Sequence, residues 1–209
     1  SNYTLLNNQL VTDSYTLSLW FYNASGNSGV TMFEDENHYS QPSLEGGGIS
    51  WTTYHYDNAL GRVAITLKED VWQHYVATYN SISGHTDEGK YTVYLDGVQV
   101  AQLTGQTDKA CTQMGIGARL KAGPSRFWEG KIRDFRVYTH PVSAAGASSL
   151  YSGTYNVTPE SAWYKGDDDS GDGTDSSTNA NSGSLVDAAT TISFTDGTLD
   201  LDSTLTIAA

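Results

Sequence analysis

At 209 residues the chain can bury a sizeable core without covalent staples, and its wealth of Thr, Tyr, Val, Gly, Ser and Asn predicts one all-β domain of short strands and tight turns. With 24 acidic residues against 11 Lys and Arg, and a formal net charge of -13, it lacks the clustered cations that neutralise phosphate, which excludes nucleic acid. No apolar run approaches the length of a bilayer span, which excludes membrane insertion, and Ser1 begins no signal peptide.

In chain order, Tyr15, Leu17, Leu19 and Phe21 alternate with Thr16, Ser18 and Trp20, the period of a strand. A polar run, Glu34-Asp35-Glu36-Asn37-His38-Tyr39, follows Met32 and Phe33 and predicts a loop. Its carboxylates, amide and aromatics suit a calcium ion or sugar hydroxyls, and equally a solvent-facing turn. Trp51, Tyr54, His55 and Tyr56 surround Asp57-Asn58, a mixture that can stack on a sugar ring or an extended peptide. In a regular strand Trp51 and Tyr54 would fall on opposite faces, so part of this group belongs to the core.

Further strands are predicted at Val63–Leu67 and Val71–Tyr79. Another pair, Tyr91–Leu95 and Val98–Ala101, is joined by Asp96-Gly97, the strongest short hairpin signal. Cys111 stands alone, so no internal disulfide forms and it reads as a small hydrophobe. Strands follow at Met114–Ala118 and Lys131–Tyr138. One helix is predicted over Ala144–Leu150, with Ser143 as its N-cap and Gly153 ending it. Trp20, Trp72 and Trp128 read as core rather than as a ligand platform.

The polar stretch from Gly166 to Gly183 holds Asp167, Asp168, Asp169, Asp172 and Asp175 within nine residues, interleaved with glycine. Calcium takes six to eight oxygens, and short Asp side chains on such a loop can converge on one ion. The alternative is a solvated acidic loop. Five crowded carboxylates repel one another without a cation, which favours calcium at Asp167, Asp169, Asp172 and Asp175. A last strand covers Leu199–Leu201, where Asp200 and Asp202 have the spacing of a glycosidase carboxylate pair but also that of a polar strand face. The histidines show no metal-ligand spacing, and there is no nucleophile elbow or phosphate loop. These residues predict no enzyme.

Three motifs, Tyr15–Phe21, Val71–Tyr79 with Tyr91–Gly97, and Gly130–Tyr138 with Pro141-Val142-Ser143, make the chain resemble laminin-G-like domains. The likeness is to the concanavalin A-like lectin/glucanase superfamily that holds such domains, and within it the chain resembles the bacterial branch related to pentraxins. The resemblance implies a two-sheet antiparallel jelly-roll sandwich with one short helix. It also implies a calcium that ties the acidic loop to the closing strand, making Asp134 a candidate ligand, although a strand Asp also commonly pairs with an arginine such as Arg133 or Arg136.

One departure concerns order. The segment Ala162–Asp169 resembles the family's opening strand, yet it follows the closing strand and helix. Residues 1–209 are therefore expected to form one domain in which 160–209 correspond to the family's N-terminal strands, by circular permutation or an out-of-phase boundary. The function implied is a calcium-dependent or calcium-stabilised lectin or adhesin module at the cell surface or outside the cell. It would bind glycans or cell-surface ligands through Asp35, Glu36, Asn37, His38, Trp51, Tyr54 and Tyr56. The second reading is a structural repeat or filament subunit that neighbouring copies complete head to tail. Peptide binding and glycan cleavage rank below both.

Overall fold

The computed structural model describes residues 3–11, 14–25, 30–35, 41–44, 50–54, 62–105, 111–120, 125–165, 175–179, 183–186, 194–195 and 198–200. Its strands begin with β1 (Tyr3–Val11), β2 (Tyr15–Asn23), β3 (Phe33–Asp35), β4 (Gln41–Leu44), β5 (Ser50–Tyr54) and β6 (Arg62–Thr66). Next come β7 (Trp72–Asn80), β8 (Lys90–Leu95), β9 (Val98–Leu103), β10 (Cys111–Ile116) and β11 (Gly130–Tyr138). Helix α1 (Ala144–Tyr151) precedes β12 (Ala162–Tyr164), β13 (Gly183–Val186), β14 (Phe194–Thr195) and β15 (Thr198–Asp200). One sheet runs β13-β1-β10-β3, a larger one β14-β15-β11-β2-β7-β8-β9 with β12 also on β11, and a small one β4-β5-β6. The pairings are antiparallel, and the fold is the expected jelly-roll sandwich.

The core follows from strand alternation. Leu17, Leu19 and Phe21 of β2 and Tyr75, Ala77 and Tyr79 of β7 point inward, where they meet Phe33, Met114 and Ile116 of the facing sheet. Trp128 joins them, 1% exposed. The β8–β9 turn has positive φ at Asp96 (51°) and Gly97 (77°), as the Asp-Gly signal requires. Asp96 also serves β7, because its Oδ1 accepts from the His74 backbone N–H at 2.8 Å.

Strand β11 breaks the alternation. Arg133 pairs with Trp20 and Arg136 with Ser18, so two residues, Asp134 and Phe135, oppose Leu19 alone. Strict alternation after Ile132 would bury Asp134 and expose Phe135. The bulge absorbs one residue, Asp134 at φ 52°, and returns Phe135 and Val137 to the core.

The C-terminal strands pair within the chain. The free edge of β11 is covered in its first half by β15 (Lys131↔Asp200) and in its second half by β12 (Phe135↔Tyr164). β13 lies on β1, with Tyr3 opposite Val186. Among the described residues no helix is long and apolar enough to cross a membrane.

Candidate functional site

The outer face of the large sheet carries α1. Ser143 caps the helix by accepting the Gly146 N–H at 3.2 Å. Ala147 and Leu150 pack with Val142 onto Val76, Tyr94 and Tyr138. Thr16 and Thr78 hold the entry to the helix, their hydroxyls accepting the Val142 N–H at 3.0 and 3.2 Å. Eight helical residues cover only about 12 Å of the sheet. The face is therefore open at both ends of the helix.

Beyond the helix N-terminus lies a cleft of about 380 Å³ between β7–β9 and the β7–β8 loop. Its wall is built from groups that fix one another. Asn80 accepts the Ile82 N–H at 2.9 Å through Oδ1, and its Nδ2 lies 3.1 Å from His85 Nδ1. The Asp87 N–H also points at that Nδ1, at 3.1 Å. Two donors on Nδ1 make it the acceptor and leave the ring proton on Nε2. Lys90 Nζ contacts Asp87 Oδ1 at 2.6 Å, and this hydrogen bond holds the Asp87 carboxyl below its usual range. On the β9 side the exposed Gln102 donates to the Thr92 hydroxyl at 3.1 Å through Nε2, which leaves its amide oxygen as the group without a hydrogen bond among the described residues. Ile82, half exposed at 50%, and Pro141 add apolar surface. The cleft thus combines hydrogen-bond donors and acceptors with apolar surface.

At the other end of the helix Tyr151 lies against Trp20 and His74, with ring centroids 5.6 and 6.0 Å apart. His74 is buried and hydrogen-bonded through Nε2 to the Ser18 hydroxyl at 3.0 Å. Burial pushes its imidazole down to about 4, so it is neutral at pH 7. Trp20 and Trp72 correct the expectation that they are core. Both are half-buried on this outer face with the Arg133 guanidinium between them. The reason is cover: alternation turns them away from the facing sheet, and α1 is too short to bury them.

The third feature is the anchor of the acidic loop. Asp134 accepts Arg136 Nε and Nη2 at 2.7 Å each, a bidentate pair, and the Trp163 indole N–H at 2.8 Å. Asp175 accepts the Trp163 backbone N–H at 2.7 Å and the Ser177 N–H at 2.8 Å. The Ser177 hydroxyl donates to its other oxygen, Oδ2, at 2.8 Å. Trp163 thus joins the two expected ligands, and Arg136 and Lys165 lie over its ring at 4.8 and 4.5 Å. Among the described residues no three His, Cys, Asp or Glu side chains gather as a metal site. Asp167, Asp169 and Asp172 lie outside the described residues.

Of the expected ligand-binding residues, Asp35 pairs with Met114 at the end of β3. Trp51 and Tyr54 lie in β5, opposite Leu44 and Ile65, and Gln41 and Arg62 respectively. Glu36, Asn37, His38 and Tyr56 lie outside the described residues. Glu34, expected in a loop, is instead a fully buried residue of β3 that accepts the Leu120 N–H. Sequence reasoning missed the cleft and Arg133. The one available signal was the polar run Ser81–Gly89 between two strands, longer than a hairpin turn needs.

Comparison with known proteins places this geometry in a family. No curated protein matches the chain in sequence. A solved "SAP-like pentraxin" from Limulus polyphemus, which is heptameric, aligns at a TM-score of 0.56 and 14% identity over 72% of this chain and 75% of its own. A candidate carbohydrate-binding protein from Bacteroides ovatus aligns at 0.65 and 16% identity over 90% of this chain. The chain spans only 56% of that second protein's length. At these identities the likeness is one of fold. The laminin G model of the concanavalin A-like lectin/glucanases superfamily matches residues 1–148, and the chain belongs to that superfamily.

Proposed function

We propose that this chain is a carbohydrate-binding module that holds a neutral glycan in the cleft beside the α1 N-terminus and performs no chemistry on it. The observation that carries this reading is a cleft lined by partnered polar groups, Asn80, His85, Asp87, Lys90, Thr92 and Gln102, together with the apolar Ile82 and Pro141. A sugar hydroxyl both donates and accepts, so His85 Nε2, Lys90, Asp87 and the Gln102 carbonyl answer it from both sides. The Bacteroides ovatus neighbour, described as carbohydrate-binding, agrees with this class of ligand. Glycosidases use two carboxylates; among the described residues lining the cleft only Asp87 is one, and Lys90 engages it. The segments that hold Asp35 in β3 and Trp51 and Tyr54 in β5 are the rival location for the ligand.

The test is calorimetry with the tightest neutral glycan from a mixed array. Gln102→Ala should bind about three- to tenfold more weakly, the loss expected for one hydrogen bond. Unchanged binding by that variant would move the site elsewhere.

Calcium enters this reading as a stabiliser of the acidic loop at an extracellular or cell-surface location. The described residues on either side of 166–174 are anchored near one another, since the Asp134 N–H reaches the Lys165 carbonyl at 3.2 Å and Asp175 is held by the Trp163 backbone. Asp167, Asp169 and Asp172, with the less committed Oδ2 of Asp175, would hold the ion. Asp134 does not fit, because Arg136 and Trp163 occupy its carboxylate. Chelator should lower the melting temperature by several degrees, as removal of a ligand specific to the native state does. A melt that chelator leaves in place argues for a metal-free loop.

A further inference from the structure

Arg133 sits at the end of the outer face remote from the cleft. Its guanidinium carbon is 4.6 Å from the Trp72 ring centroid and 5.4 Å from that of Trp20. Tyr22 meets Trp72 edge to face at 5.9 Å. Nearby Arg136 is gripped bidentately by Asp134. Among the described residues, in contrast, neither an ion pair nor a hydrogen bond engages the Arg133 guanidinium. In a chain where acidic residues outnumber basic ones 24 to 11, an arginine held this firmly without a carboxylate is unusual.

Two further features act on the same spot. Alternation from the inward Ile132 places Arg133 on the outer face opposite Trp20, and the bulge at Asp134, φ 52°, follows it directly. Asp70, at φ 55°, accepts the Tyr22 hydroxyl at 3.3 Å and the Ser25 N–H at 3.1 Å, fixing the outer ring of the group. Non-glycine residues rarely keep positive φ, and such strain concentrates at functional positions. Here two of them flank one platform.

We propose that Arg133, between Trp20 and Trp72, forms a second binding site, specific for the carboxylate of an acidic sugar residue. A guanidinium stacked on indole faces keeps its N–H edge in the ring plane, where a carboxylate can take two parallel hydrogen bonds. The half-buried indoles of Trp20 and Trp72 flank that edge and add apolar surface beside the bound sugar. The site shares the glycan class of the cleft but none of its residues, and α1 separates the two.

The probe is trigalacturonate against its full methyl ester, titrated at low salt while tryptophan fluorescence is read, since two indoles line the site. Saturable quenching by the acid is expected, about tenfold or more weaker for the ester, as loss of a charge-assisted hydrogen bond dictates. Arg133→Gln should lose the acid preference and Arg133→Lys most of it, because an ammonium lacks the fork. Gln102→Ala should leave it intact, which separates this site from the cleft. Equal quenching by acid and ester overturns the proposal, as does an unchanged Arg133→Gln response. Equal quenching by a triglutamate peptide also overturns it, because charge alone would then suffice. Should Arg133→Gln fail to fold, the acid-to-ester comparison on the wild-type chain decides alone.

Discussion

A chain ending at residue 158 should fail to fold. It would lose β12 and β15, which together cover the free edge of β11, and β13, which covers β1. Ala162 and Tyr164 would leave the core. Two unpaired edges and an opened core have no local remedy, so circular dichroism should show no cooperative transition, and the product should aggregate. We propose accordingly that residues 160–209 are the family's opening strands in permuted order, completing their own sheet. The full chain in dilute solution should then run as a monomer, and peptide 159–209 added to the truncated chain should restore the transition. A truncated chain that melts within a few degrees of the full one contradicts this, and an obligate oligomer would favour completion by a neighbouring copy.

Asp134→Ala should cost about 2–3 kcal/mol, below the range for removing one partner of a fully buried ion pair because Asp134 and Arg136 are part-buried. The Arg136 side chain is only 16% exposed and would keep its charge without a counter-ion. The Trp163 indole N–H would lose its acceptor. Asp134→Asn keeps an oxygen for Trp163 and should fall between the two. Urea unfolding with and without chelator gives the cause. If Asp134 acts by holding Arg136 and Trp163, the loss should be the same in both conditions. A loss that disappears in chelator would make Asp134 a calcium ligand instead.

Much of the fold was legible because each clue was local. Asp96-Gly97 demanded a turn with positive φ at both residues, and Ser143 offered the hydroxyl a helix start needs. Strand β11 was legible only in part. Ile132, Phe135 and Val137 are out of step with a period of two, and that misfit is the trace of the bulge. Trp20 and Trp72 were misread for a related reason: alternation tells which side a residue faces, not what covers that side. The cleft was hidden because its parts are ordinary alone. Asn80, Lys90, Thr92 and Gln102 become neighbours only through register, with Asn80 opposite Lys90 and Thr92 opposite Gln102. Asp134 is a candidate metal ligand by resemblance alone, and of the alternatives open in the sequence, pairing with Arg133 or with Arg136, the structure shows the second.

A glycan bound in the cleft should protect the backbone around it. Backbone amide hydrogen exchange, with and without the tightest neutral glycan from a mixed array, reads this directly. Protection should rise in residues 80–90 and 99–102, on either wall of the cleft. Protection confined to residues 50–58 or 33–39, or an array on which no glycan binds, would contradict it.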